Sequence, residues 1–268
     1  MPSVDTVVGH FDAGGDELVA VLRSAHGGEG EGCEHSLNIG VHGARPVSCD
    51  SFASLGSVNA EVVRFENELS GTDLQTFLQR AKRLGCEHVR LRAYGSTLVV
   101  SVAVLTKQTL LDSDPTVLGL RTFGLDAPRE LDLTATLASV LDRLAHDRHS
   151  FALPVGQAGV PWTGVSVPQG GWRRVGVIAE DALERVARAG IESVANANGL
   201  GSVIVTQVRR DTWGAAIPAS DDGHTITAGV AFAALGLGFL GEVDGLATVS
   251  VSGVWTRIST PRGHVVTR

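Results

Sequence analysis

The chain has 268 residues and a mass of 27.9 kDa, which fits one large domain or two of ordinary size. Apolar residues make up 43% of it and charged residues 19%, a balance that excludes a disordered or collagen-like chain. The formal net charge of −7 and the pI of about 5.7 argue against a protein dedicated to binding polyanions.

The start of the chain and its cysteines predict a soluble, cytoplasmic protein. Residues 1–5 contain neither the basic nor the apolar segment of a secretory signal. The longest apolar stretch, residues 229–241, has 13 residues, whereas a helix needs about 20 to span a bilayer. Cys33, Cys49 and Cys86 are odd in number and loosely spaced, which predicts reduced thiols rather than a disulfide framework.

The first half contains a predicted internal repeat. The tetrapeptide Gly-Cys-Glu-His occupies residues 32–35 and returns at residues 85–88. In both copies a helix start signal precedes the tetrapeptide, and an alternating pattern typical of a hairpin follows it. With one strand in front, the pattern predicts two tandem β-α-β-β units, about residues 4–66 and 58–126, that share a strand.

The helices of the two copies are predicted from their caps. Asp16 is the candidate N-cap of the first helix and Thr72 of the second. In the second copy the apolar residues recur at helical spacing up to Gly85, which is placed to end the helix. The hairpin that follows is predicted to turn at residues 95–96, before a third strand at residues 117–125.

The second half is predicted to be mostly helical and to end in a β-hairpin. Helices are predicted at residues 131–146, 180–197 and 227–240. Residues 202–213 are ambiguous, because their β-branched run favours a strand while the spacing of the apolar residues fits a capped helix slightly better. Strands are predicted at residues 172–177, 247–251, 254–259 and 264–267.

We therefore predict an α+β fold organised in three parts. The duplicated domain occupies residues 1–127, a helix and a linker rich in glycine and proline occupy residues 128–170, and a mostly helical domain with a terminal hairpin occupies residues 171–268. All tryptophans lie in the second half, namely Trp162, Trp172, Trp213 and Trp255. We expect most of them to hold the linker against the domain, with a partner-binding patch as the alternative.

Segments of the last hundred residues resemble uncharacterised proteins of actinobacteria. The segments that carry the resemblance are residues 171–176, 182–191, 213–214, 232–233 and 255–265. The two lysines against twenty arginines are also typical of a GC-rich bacterial genome. The resemblance contains no catalytic motif and implies no activity, so no functional residue follows from it.

Two Cys/His pairs form the candidate metal site. Cys33 with His35 and Cys86 with His88 stand two residues apart, and side chains at that spacing share one face of a strand. Two facing pairs would supply four ligands for a tetrahedral zinc ion. The spacing is not a standard zinc motif, however, and buried thiols with surface histidines are the alternative interpretation.

Other motifs predict no catalytic residue and no cofactor. Residues 236–241 read G-x-G-x-x-G, but a dinucleotide site needs these glycines to open a helix and needs an acidic residue about 20 positions later. A buried helix that ends near Gly241 is the better interpretation. The chain contains no P-loop, HExxH or G-x-S-x-G motif, and whether it is an enzyme stays open.

The most favoured function is a non-catalytic protein-binding or self-associating module. A nucleic-acid-associated protein is one alternative, because three helices followed by a hairpin have the order of a winged helix, and the β-α-β-β order is similar to that of sliding clamps. The negative charge argues against this alternative, as does the lack of Arg, Lys, Asn and Gln in residues 228–240. A metal-binding or enzymatic protein that uses the Cys/His pairs is the other alternative.

Overall fold

A computed structural model describes residues 4–13, 16–25, 61–107, 114–156, 159–164, 166–197, 199–219 and 223–268. The chain divides into two compact units, Met1–Asn59 and Ala60–Arg268. In the first unit, β1 (Val4–Ala13) pairs antiparallel with β2 (Asp16–Ala25), from Val4 opposite Ala25 to Ala13 opposite Asp16.

The helix predicted to begin at Asp16 is therefore wrong. Ten residues of β2 pair with ten residues of β1, and the sequence between the strands is Gly14-Gly15, a dipeptide typical of tight hairpins. Cross-strand pairing thus overrides the local helix signal. The rest of the first predicted repeat unit, residues 26–60, lies outside the described residues, so the duplication stays a prediction.

The second unit is built from five helices and ten strands in its described part. The helices are α1 (Glu68–Arg83), α2 (Leu137–His146), α3 (Glu180–Asn196), α4 (Ser202–Gly214) and α5 (Ala228–Leu237). The strands are β3 (Val62–Arg64), β4 (His88–Leu105), β5 (Val117–Thr136), β6 (Ser150–Ala152), β7 (Arg173–Ala179), β8 (Ala216–Pro218), β9 (Thr225–Thr227), β10 (Leu246–Ser252), β11 (Trp255–Thr260) and β12 (Gly263–Thr267). The predicted α+β fold class is confirmed.

Helix α1 forms where the sequence predicts it, but it begins earlier. Its N-cap is Asn67, whose Oδ1 accepts a hydrogen bond of 3.0 Å from the backbone N–H of Ser70. The predicted cap Thr72 lies one turn inside the helix and donates its hydroxyl to the carbonyl of Glu68. Gly85 follows the helix at φ +84, a conformation that costs glycine little.

Strand β4 contains a chain reversal. The Sγ of Cys86, just before the strand, lies 3.1 Å from the carbonyl oxygen of Ala103 near its end, whereas a straight strand of that length would separate them by about 55 Å. The reversal is located at Gly95, which has φ +57 and lies at a register shift between β4 and β5. The hairpin predicted to turn at residues 95–96 is therefore confirmed.

Strand pairing continues past residue 125, where the predicted third strand ends. Strand β5 continues to Thr136 and the predicted helix of residues 131–146 begins only at Leu137, capped by the side chain of Thr136. Residues 131–136 have apolar residues at a spacing compatible with both structures, and Leu133 pairs with Leu91 of β4. Sheet pairing decided the structure of this segment.

One antiparallel sheet extends through the whole second unit. Its strand order is β4-β5-β12-β11-β10-β7. Helices α1, α2, α3 and α5 share one core with the sheet residues that point toward them. This sheet and this core run through residues 60–268. The domain boundaries predicted at residues 127 and 171 therefore stay a prediction from the sequence.

The C-terminal elements agree with the sequence analysis. Helices α3 and α5 lie where they are predicted, residues 202–214 are helical, and β10 and β11 form the terminal hairpin, to which β12 adds a third strand. Helix α5 ends at Leu237, with Gly238 in the left-handed conformation. The G-x-G-x-x-G segment thus lies at the carboxyl end of a buried helix instead of opening one. No helix in the described ranges is both long and apolar enough to cross a bilayer.

Candidate functional site

The sheet has a second face, which we call the outer face, opposite the helices. Alternate residues of β4 point to it because side chains alternate along a strand: Val89, Leu91 and Ala93 lie in the core, whereas Arg90, Arg92 and Tyr94 lie on the outer face. Trp255, Leu118 and Val266 form a separate apolar cluster there.

A concave pocket of about 300 Å³ lies on the outer face, and we call it the arginine–tryptophan pocket. Its polar and aromatic wall consists of Arg90, Arg92, Tyr94, Ser101, Thr122, Trp162, Gln169, Trp172, Arg257 and His264. Its apolar lining consists of Val99, Leu118, Leu120, Val167, Pro168 and Val266. Among the described residues that line it, none carries a carboxylate.

The predicted linker forms one side of this pocket. Residues 161–164 and 166–172 cross the outer face, where Arg90 Nη1 donates a hydrogen bond of 2.6 Å to the carbonyl of Thr163. Trp162 and Trp172 pack against the apolar cluster of the outer face, and Trp172 Nε1 donates to the carbonyl of Pro168. For these two tryptophans, the expectation that they hold the linker against the domain is confirmed.

One of the three pocket arginines has a full carboxylate partner. Arg90 contacts both oxygens of Asp132, with Nε–Oδ1 and Nη2–Oδ2 distances of 2.8 Å. These hydrogen bonds hold the pKa of Asp132 below its usual value and raise that of Arg90. Arg92 Nε lies 3.6 Å from the same carboxylate, too far for a hydrogen bond, so its charge is only partly neutralised.

Arg257 is held by stacking, and no described residue forms an ion pair with it. Its Cζ lies 4.4 Å from the centroid of the Trp172 ring, a favourable cation–π distance. Its Nε is buried and has no hydrogen-bond acceptor in the described part of the chain; Arg92 Nε and Tyr94 Oη share this condition. Burial lowers the pKa of Arg257.

His264 adds a titratable group to the pocket wall. Its Nδ1 lies 2.9 Å from Ser259 Oγ on the neighbouring strand. Burial, and secondly the charge of Arg257, lowers the pKa of His264 below its usual value. Both effects favour the neutral imidazole.

The stability of the protein should depend on the protonation of His264. Because its pKa is lower in the folded chain than in the unfolded chain, the unfolded chain binds the proton more readily, and the free energy of unfolding should fall as the pH drops below about 6.5. Urea unfolding at pH 7.5 and 5.5 measures this. The variant His264→Gln should lose a smaller part of its stability over that interval, and an unchanged loss would contradict the assignment.

Helix α4 carries a second feature, an exposed apolar surface. Residues 203–206 are four consecutive β-branched residues, which disfavour a helix, and within α4 only Trp213 is buried. Leu200, Val203 and Ile204 are 59%, 81% and 49% exposed. We call residues 200–208, which contain no charged side chain, the α4 surface.

Trp213 anchors this helix to the rest of the unit. Its ring stacks on Phe232 of α5 with 4.4 Å between centroids. It also lies against Gly190 of α3, where any Cβ would come within 2.4 Å of the indole. The carboxyl end of α4 is thus tightly packed, while its amino end presents apolar side chains.

The second half of the candidate metal site lies in the described part of the chain. Cys86 is 8% exposed, and its thiol donates to the carbonyl of Ala103. Burial raises its pKa to about 12, whereas a metal ligand must be a thiolate. His88 begins β4, and the described residues contain no group of three or more metal-ligating side chains. Cys33, His35 and Cys49 lie outside them, so the four-residue zinc site stays a prediction.

Comparison with family models gives the chain two matches. Residues 58–164 match the model of a domain of unknown function, DUF8010, and residues 167–268 match that of a second one, DUF8185. Two domains of unknown function thus cover most of the chain. The predicted resemblance of the last hundred residues to proteins without an assigned activity is confirmed to this extent, while the actinobacterial origin stays a prediction. A comparison with curated proteins finds no match.

Solved structures with similar architecture include bacterial sliding clamps. The DNA polymerase III subunit beta from Pseudomonas aeruginosa is 14% identical, with 77% of this chain and 63% of that chain covered and a TM-score of 0.44. A putative DNA polymerase III beta subunit from Eubacterium rectale is 9% identical, with 77% and 64% covered and a TM-score of 0.46.

The Helicobacter pylori beta clamp bound to a DNA ligase peptide is 8% identical, with 95% and 76% covered and a TM-score of 0.42. This chain spans less than two thirds of the length of the two subunits named first. At these scores the likeness carries no inference about what the chain binds.

The two matched domains together build the pocket. Arg90 and Arg92 belong to the first matched region and Arg257 and His264 to the second, and residues on both sides of the junction between the regions complete the wall. The sequence analysis missed these residues. The alternation of Arg90, Arg92 and Tyr94 in a predicted strand could have indicated a polar outer face, but nothing in the sequence brings Arg257 beside them.

Proposed function

We propose that this protein is a non-catalytic interaction module that associates with a second copy of itself through the α4 surface. The observation that carries the proposal is the contrast within α4 between its apolar β-branched sequence and its exposure, since only Trp213 is buried. An exposed helix with this sequence gains little from its own propensity. Burial of Leu200, Val203 and Ile204 by a partner would supply the missing stabilisation.

The charge distribution favours a second copy as the occupant. Two chains that each have a net charge of −7 repel each other in most relative orientations. Residues 200–208, however, carry no charge. Two such helices can pack against each other without burying an unpaired charge, as a two-fold interface requires. The winged-helix alternative has no comparable support, because α5, its recognition helix, is buried in the core.

The double variant Val203→Lys/Ile204→Lys tests this proposal. Sedimentation velocity of the wild type should show a dimer whose fraction grows with concentration. In the variant the dissociation constant should rise by at least about tenfold, because two apolar side chains are replaced by like charges. Lysine is a better helix former than valine or isoleucine, so α4 should remain intact, as circular dichroism would check.

The matched control is Leu69→Lys, which adds a lysine at a side chain 78% exposed on α1. It should leave the dissociation constant unchanged. A wild type that is monomeric at every concentration, or a double variant that dimerises as well as the wild type, would overturn the proposal.

A further inference from the structure

We propose that the arginine–tryptophan pocket is a binding site for an organic anion in which a carboxylate is joined to a flat apolar group. This site is separate from the α4 surface and independent of the proposed self-association. The charge of the pocket, its donors without an acceptor and its shape point to this ligand.

The charge of the pocket is opposite to that of the whole protein. Arg90, Arg92 and Arg257 line it, and Asp132, the carboxylate that contacts Arg90 and Arg92, is engaged by the hydrogen bonds of Arg90. A net positive charge therefore remains on a partly buried wall, where electrostatic attraction is stronger than at an open surface. An anion is the ligand that this charge favours.

Three buried donors on residues that line the pocket have no protein acceptor in the described part of the chain. Arg92 Nε, Tyr94 Oη and Arg257 Nε come from two strands, β4 and β11. A buried donor without an acceptor costs about 1–3 kcal/mol. A carboxylate can accept several such bonds at once. This donor set therefore matches a carboxylate better than it matches a neutral group.

The remaining lining of the pocket is apolar and aromatic. Leu118, Leu120 and Val266 come from adjacent strands. Trp162 of the linker and Trp172, just after the linker, cover one side. The volume of about 300 Å³ is at the small end of ligand pockets, enough for one ring system with its charged substituent. Trp172 already stacks on Arg257, which fixes the guanidinium plane.

Isothermal titration calorimetry with 2-naphthoate, its neutral amide 2-naphthamide, and acetate tests the proposal. We expect 2-naphthoate to bind, and both the amide, which lacks the charge, and acetate, which lacks the ring, to bind at least about tenfold more weakly. Equal binding of naphthoate and naphthamide would show that the pocket binds only the apolar ring, and it would overturn the proposal. So would the absence of naphthoate binding at millimolar concentration.

The variant Arg257→Gln tests whether naphthoate binds in the arginine–tryptophan pocket. Removal of one charged hydrogen-bond donor should weaken naphthoate binding by about ten- to a hundredfold. Arg257→Lys, which keeps the charge but loses the planar fork, should give an intermediate value. The control is Arg185→Gln, which removes a charge from a side chain 75% exposed on α3. Thermal unfolding identifies a variant that fails to fold, and if the glutamine variant fails, Arg92→Gln takes its place.

The ligand can be a free small molecule or an acidic residue beside an aromatic one in a peptide. An acetylated and amidated Gly-Asp-Phe-Gly peptide and its Gly-Asn-Phe-Gly counterpart distinguish these sources. Tighter binding of the Asp peptide than of naphthoate would identify the peptide source, and the reverse order the small molecule. Naphthoate binding that survives Arg257→Gln unchanged would place the anion elsewhere and overturn the assignment.

Discussion

Replacing Phe77 by alanine should lower the free energy of unfolding by about 3–5 kcal/mol. Phe77 is fully buried on α1 and stacks on Phe239, with 5.8 Å between the ring centroids and 16° between the ring planes. The first ring belongs to residues 58–164 and the second to residues 167–268, so this pair joins the two matched domains. Removal of the ring leaves a cavity at the junction of the two domains. The cavity adds to the free-energy cost of the lost apolar burial.

Urea unfolding followed by circular dichroism measures this effect. The wild type should unfold residues 60–268 in one transition, because one sheet and one core run through them. The control Leu69→Ala, on the exposed side of the same helix, should change the free energy by less than about 0.5 kcal/mol. Two separate transitions in the wild type would show that the domains fold independently and that the junction is weak.

Replacing Glu180 by alanine is expected to cost about 2–4 kcal/mol of stability. Glu180 opens α3 with its side chain 2% exposed, and its Oε2 accepts hydrogen bonds from the backbone N–H groups of Gly241 and Glu242 at 2.8 and 3.1 Å. Each charge-assisted bond is worth about 1.5–3 kcal/mol. The negative side chain also lies at the positive end of a helix. Its loss leaves the N–H groups of Gly241 and Glu242 without this acceptor.

Thermal or urea unfolding of Glu180→Ala measures this loss, and Glu180→Gln should recover part of it because the amide oxygen can still accept. The neighbouring Asp181→Ala is the control: Asp181 lies in the same first turn but is 75% exposed, so its removal should cost less than about 1 kcal/mol. If the two alanine variants were equally stable, the hydrogen bonds of Glu180 would contribute nothing beyond the helix dipole.

The elements that the sequence predicts correctly are those with strong local signals. Helix α1 has a continuous apolar face with glycine at its end, and the hairpin in β4 turns at a glycine that adopts a positive φ. The errors fall where local signals conflict with pairing. The segment after Asp16 follows a helix start signal but pairs with β1, and residues 131–136 are predicted to be helical but pair with β4.

The two candidate sites also differ in how much of each can be predicted from the sequence. The exposed β-branched run of α4 is visible in the sequence, although its exposure is not. The pocket is not visible at all, because Arg90 and Arg257 stand 167 positions apart and meet only through the order of strands β4, β5, β12 and β11. Cys86 shows the converse: a motif that suggests metal chemistry in the sequence has a buried, protonated thiol in the structure.

The amino-acid sequence alone determined the fold class, the helices with one apolar face, and the turns that glycine permits, because these depend on interactions between residues close in the chain. The tertiary structure decided which segments became strands, where the linker lies, and that three arginines share one wall. Strand pairing and side-chain burial join residues far apart in the chain, and their free energy outweighs the small local preferences by which a sequence is read.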